Sequence, residues 1–160
     1  MLPSPHFRQV WLLMIDPKEE RRENYPYLLT IPTRWRDIDM YQHVNNVVFY
    51  AYFDTVIGEY LIREGGLDYE NSSIVGFAIE THCTFLQPLK FPDVIDAGLR
   101  VGRLGNSSCR YELGIFKQGE ETPSAVGYFV HVFVTRPENR PTPIEGQLRE
   151  ALIKLEKGHS

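Results

Sequence analysis

A chain of 160 residues with 42% apolar and 24% charged residues is that of an ordinary globular domain, long enough to bury a core without staples. Its net charge of −4 offers no basic footprint for nucleic acid. Its two cysteines, Cys83 and Cys109, lack Cys-x-x-Cys spacing and read as free core thiols in a reducing compartment.

Taken in order, residues 1–24 form an N-terminal arm. They hold three prolines, a short apolar run and the charged cluster KEERRE. The arm reads as a loosely docked segment, a short surface helix or a disordered terminus. The run from Val10 to Ile15 is too short for a signal-peptide core, so the cytoplasm is the expected location. Residues 25–157 then form one domain.

Tyr27 to Trp35 reads as a strand, and Pro32 within it, lacking an N–H for a ladder, implies an edge position or a bulge. A polar turn follows, holding Asp37, Asp39, Tyr41, Gln42, His43, Asn45 and Asn46. From Val47 to Arg63 the apolar residues Phe49, Tyr52, Phe53, Val56, Ile57, Tyr60 and Leu61 keep the spacing of one helical face. Val47, Val48, Ala51 and Ile62 extend that face nearly all round, which predicts a buried helix. Asp54, Glu59, Arg63 and Glu64 argue against a membrane span. Gly65 and Gly66 end the helix.

Ile74 to Leu86 alternates, with Val75, Phe77, Ile79, Thr81, Cys83 and Phe85 on one face and Gly76, Ala78, Glu80, His82 and Thr84 on the other. Val94 to Leu104 alternates again. Gly105 and Asn106 make a hairpin turn before a strand marked by Cys109, Tyr111, Leu113 and Ile115. Ser124 to Thr135 is apolar on both faces, as an interior strand would be. Glu145 to Lys157 looks like a short amphipathic helix. A strand, one dominating helix and four more strands make an α+β layout, with an antiparallel sheet of about five strands wrapped around the helix.

The polar turn carries the chemistry. The first N–H groups of a helix have no partner within it, and the helix dipole places positive charge there. Asn45 fits the N-cap, and Asp39 and His43 stand just upstream. A carboxylate beside oriented donors suits attack on a carbonyl, because the donors hold the developing oxyanion while the carboxylate acts as base or nucleophile.

The stretch DIDMYQHVNNVVFY resembles the Asp-x-x-x-His-Val-Asn-Asn signature of hotdog-fold acyl thioesterases, close to the 4-hydroxybenzoyl-CoA thioesterase-like group and the plant acyl-carrier-protein thioesterases. The resemblance is close over about 25 residues and elsewhere extends to layout. It implies hydrolysis of an acyl-CoA thioester, with Asp39 as the catalytic carboxylate and the backbone N–H of Asn46 polarising the carbonyl. It places His43 on the histidine that assists the plant enzymes. Those enzymes carry Asn where this chain has Tyr41, which favours the simpler carboxylate-plus-helix arrangement. The resemblance also implies no cofactor or metal and a homodimer or homotetramer with clefts between subunits. Acyl type, and CoA against acyl carrier protein, stay open.

Other candidates are weaker. Tyr41, Asn45, Glu80 and His82 are candidate substrate contacts, and Arg100, Arg103 and Arg110 are candidate partners for CoA phosphates. Asp37 is expected to pair with Arg34 or Arg36 and to be structural. An Asp-x-Asp also suits magnesium-dependent phosphoryl transfer, but Thr33 to Arg36 is not the apolar strand that usually precedes such a site. His43, His82 and His131 lack close ligand spacing for a metal. A non-catalytic acyl-thioester-binding protein and a hydratase or dehydratase of the same fold are the alternatives.

Overall fold

The computed structural model describes residues 16–156. Its main elements are β1 (Tyr27–Pro32), α1 (Asn46–Arg63), β2 (Ile74–Phe85), β3 (Val94–Leu104), β4 (Ser108–Lys117), β5 (Ala125–Thr135) and α2 (Gly146–Ile153). The strands form one antiparallel sheet in the order β1-β3-β4-β5-β2. Pro32 therefore closes an edge strand, and β5 is interior, as their sequences require.

The sheet wraps one side of α1. Ile95, Ala97, Leu99 and Val101 of β3, Cys109, Tyr111, Leu113 and Ile115 of β4, and Phe129 and Phe133 of β5 meet Phe49, Phe53, Val56, Ile57 and Leu61 in one core. Gly127 makes the approach close: a Cβ there would stand 2.7 Å from the Phe53 ring. This is the hotdog arrangement, a long helix held in a curled sheet. The helix is less enclosed than its composition implies. Val47, Ala51, Asp54, Thr55 and Ile62 are exposed, because the sheet covers only one flank. The terminal helix also runs shorter than its pattern, ending at Ile153, and is tied to α1 by the Tyr60 hydroxyl donating to the Ala151 carbonyl at 2.7 Å.

The even alternation read for β2 is corrected by a bulge. Ala78 pairs with His131 and Glu80 with Val130, leaving Ile79 as an extra residue. Val75 and Phe77 thus share the outer face with Glu80 and His82, while Gly76, Ala78, Thr81, Cys83 and Phe85 share the helix side. A second bulge lies at Gly102 in β3.

Residues 1–15 of the expected arm lie outside the described residues, but residues 16–26 cross the outer face of the sheet. Tyr25 covers Gly98 and Gly114 and lies beneath the Arg100 guanidinium, 4.7 Å from its ring centroid. Arg100 is fully buried and bridges Glu20 and Glu112, each at 2.9 Å. The charged cluster is thus only partly solvated: Glu20 supplies the counter-charge for an arginine inside the fold.

On the helix side, His131 is buried among the rings of Tyr111, Phe129 and Phe133, and its Nδ1 has no hydrogen-bond partner among the described residues. Burial pushes its imidazole down from 6.5 to about 4. The unfolded chain therefore takes a proton that the fold refuses. Stability held by the neutral ring is complete above about pH 6.5 and is lost as pH falls towards 4, by up to about 3 kcal/mol. His131→Phe is expected to flatten that decline in urea titrations run between about pH 7 and 5. An unchanged slope would assign the acid limit to other groups.

Candidate active site at the start of the central helix

The site is built by the chain between β1 and α1. Past Pro32, the Arg34 N–H donates to Asp37 Oδ2 at 2.9 Å and its guanidinium pairs with Oδ1 at 3.0 Å. The Tyr52 hydroxyl donates to the same carboxylate at 2.9 Å, and the Asp37 carbonyl accepts from the Asn45 N–H at 2.9 Å. Burial works to raise the Asp37 pKa, but the N–H and guanidinium of Arg34 and the hydroxyl of Tyr52 overcome it and hold the group below its usual range. Asp37 is therefore the structural pin expected, fixing where α1 begins.

From Ile38 the chain doubles back and bridges to Val44. The Asp39 N–H donates to the His43 carbonyl at 3.1 Å, and the Gln42 N–H to the Asp39 carbonyl at 3.0 Å. Gln42 takes a left-handed φ of 67° to close the turn. Asp39 is half-buried. Its Oδ1 accepts from the Tyr41 N–H at 2.9 Å, and Oδ2 makes no hydrogen bond among the described residues.

Asn45 is the N-cap, its Oδ1 accepting from the Val47 N–H at 3.1 Å. The Val48 N–H goes to the Asn45 carbonyl. The Asn46 N–H has no acceptor among the described residues, so it is the unsatisfied donor at the positive end of an 18-residue helix. Asn45→Ala is expected to cost about 1 kcal/mol and to loosen this terminus. Thermal unfolding checks the first effect. An unchanged melting temperature would show that Asp37 alone fixes the helix start.

A cavity of about 310 Å³ opens at that point, lined by His43, Val44, Asn46 and Phe49 on one side and by Phe85, Leu86, Gln87 and Pro88 on the other. Phe49 and Phe85 meet edge to face at 5.2 Å and make its floor apolar. The Val44 N–H, donating to the Leu89 carbonyl at 2.7 Å, stitches the two walls together.

The structure therefore gathers His43 and Asn46 at one cleft, with Asp39 joined to His43 through the backbone but absent from the lining. The Asn45 side chain is occupied by the cap, and Tyr41 is exposed on the turn. Glu80 and His82 lie on the far face of the sheet, where Glu80 accepts from the Tyr128 hydroxyl at 2.8 Å and His82 stacks on that ring. Arg100 does not reach a phosphate because it is buried in ion pairs, and Arg110 lies buried with its guanidinium 3.9 Å from the Tyr128 ring centroid. The sequence pattern marks Gln87 to Pro92 only as a turn. That it forms the second wall follows from the long-range pairing of Val44 with Leu89. Among the described residues, no group of three or more His, Cys, Asp or Glu could hold a metal ion, and no helix is long and apolar enough to cross a membrane.

Comparison with known proteins places this geometry. The family model of the thioesterase-like superfamily matches residues 33–152. The PA5185 protein of Pseudomonas aeruginosa PAO1 is 46% identical, with 88% of this chain and 99% of that one covered and a TM-score of 0.86. A Thermus thermophilus thioesterase, solved in complex with coenzyme A and Zn, is 30% identical over 80% of this chain and 98% of its own, with a TM-score of 0.67. A 1,4-dihydroxy-2-naphthoyl-CoA thioesterase from Synechocystis, 16% identical over 81% of this chain and 96% of its own, shares the fold with a TM-score of 0.73. No curated protein matches the chain.

Proposed function

Because the chain belongs to the thioesterase-like superfamily, we propose that it hydrolyses an acyl-CoA thioester to the free acid and CoA. The observation that carries this reading is the unpaired Asn46 N–H, which stands at the head of α1 and opens into an apolar-floored cleft. The thioester carbonyl oxygen sits against that N–H, and the acyl group runs onto Phe49 and Phe85. The free Oδ2 of Asp39 takes a proton from water as the water adds to the carbonyl carbon, or itself attacks and forms an anhydride that water then opens. As the tetrahedral centre collapses, the carbon–sulfur bond breaks, and the thiolate takes up the proton. The Asn46 donor and the helix dipole stabilise the oxyanion more than the ground-state carbonyl, which is what lowers the barrier. His43 lines the same cleft and orients the water or the thioester.

The working unit is a homodimer, or a homotetramer made from dimers. β2 is a 12-residue edge strand with an unpaired side and exposed Phe77, Ile79 and Phe85. α1 also leaves Val47, Ala51 and Ile62 exposed. A second copy pairing along β2 covers both and closes the cleft.

One observation favours a second reading, an acyl-thioester-binding protein without catalysis: Asp39 turns an oxygen to the Tyr41 N–H and does not line the cleft. Thiol release from short, long, branched and aromatic acyl-CoAs separates the two. Turnover of one class supports the hydrolase. Silence from folded protein that still binds acyl-CoA would leave the binding protein standing.

A further inference from the structure

Two aromatic side chains stand beside the cleft without taking part in it. Trp35 is 80% exposed, and its ring stands perpendicular to that of Phe91, itself 40% exposed, with centroids 5.6 Å apart. An indole this bare, with one neighbouring ring among the described residues, presents a flat open face. The pair is carried by the segments that build the cleft. Trp35 opens the 3-10 turn that ends at Asp37, whose carbonyl holds Asn45. Phe91 comes three residues after Pro88 of the lining, a reach of at most about 11 Å.

Each ring has an exposed cation next to it in the chain, Arg36 beside Trp35 and Lys90 beside Phe91. The nearby carboxylates do not neutralise them. Asp37 is held by Arg34 at 3.0 Å, and Asp93 by Lys117 at 3.6 Å. Neither the Arg36 guanidinium nor the Lys90 ammonium has a partner among the described residues. A stacking face flanked by two unspent positive charges matches a purine attached to phosphates.

We propose that Trp35, Phe91, Arg36 and Lys90 form the docking surface for the adenosine phosphate end of coenzyme A. The base stacks on the open face of Trp35, Phe91 props the indole, and the two cations meet the phosphates. The inference rests on the thioesterase reading for its substrate and deepens it, because it selects CoA over a carrier protein, which presents no free nucleotide.

The test needs a readout independent of turnover. Trp11 and Trp35 are the chain's two tryptophans, and Trp11 lies outside the described residues, so Trp11→Phe leaves Trp35 as the single reporter. Titration with CoA, and separately with adenosine 3′,5′-bisphosphate, is expected to quench its emission saturably. Arg36→Gln with Lys90→Gln is expected to weaken both by roughly tenfold, more at low salt. In turnover, Trp35→Ala raises KM for an acyl-CoA by about tenfold and leaves the acyl N-acetylcysteamine thioester, which lacks the nucleotide, unchanged. Trp35 emission indifferent to CoA would overturn the proposal. So would a blue-shifted, CoA-insensitive emission, meaning that another chain covers the ring, or an equal loss on both thioesters. Quenching by CoA without hydrolysis of any thioester supports this surface while removing the hydrolase.

Discussion

Replacing Asp39 with Asn is expected to lower thioester hydrolysis by roughly 10²–10⁴-fold while leaving the fold intact. The two parts of that expectation have separate causes. Asn keeps an oxygen that accepts from the Tyr41 N–H, and the backbone bonds that close the turn, Asp39 to His43 and Gln42 to Asp39, do not involve the side chain. The free oxygen is replaced by an amide nitrogen, which neither takes a proton from water nor attacks a carbonyl. The measurement is kcat by thiol release beside a melting curve. A variant that melts like the wild type and hydrolyses like it would move the base elsewhere. His43→Ala is the sensible companion, because it removes a cleft residue while leaving the Asp39 carboxylate in place.

The second large effect is on stability. Arg100→Ala is expected to cost about 3–5 kcal/mol, because it leaves Glu20 buried without its cation and Glu112 with the more distant Arg110, at 3.9 Å. Glu20→Gln costs less, since Arg100 retains Glu112. Burial works to raise the Glu20 pKa, but the Arg100 guanidinium outweighs it and holds the group below its usual range. Its contribution is therefore present above the ordinary carboxylate pKa and is lost as pH falls through the lowered value. Urea denaturation at neutral and acid pH measures both. A loss below about 1 kcal/mol for Arg100→Ala would mean that water reaches the pair and screens it. The helix-side cleft is on the opposite face of the sheet, so kcat of the folded variant is expected to hold.

What could be read in advance depended on the range of the interaction. The α1 face, the Asn45 cap, the edge proline Pro32 and the pairing of Asp37 with Arg34 each depend on residues within a few positions of one another, and all appear as read. The Ile79 bulge is different. An extra residue in a strand leaves local composition unchanged, and only the pairing with β5 shows that the faces switch between Ala78 and Glu80. The same holds for Glu20 and Arg100, which meet across a separation of 80 residues. A charged cluster near a terminus looks solvated until its counter-charge is located. Of the site, the turn and the helix start are local, whereas the wall from Phe85 to Pro88 is supplied from across the fold.

The segment over the outer face also has a consequence for descent. The superfamily match begins at residue 33, downstream of Glu20 and Tyr25. The matched region therefore omits Glu20, one of the two carboxylates paired with Arg100, and Tyr25, which roofs Gly98 and Gly114. A buried acid at position 20 is costly without the arginine at position 100, so lineages that lose the arginine are expected to lose the acid with it. A fragment trimmed to the matched region would inherit the buried cation with half of its counter-charge removed.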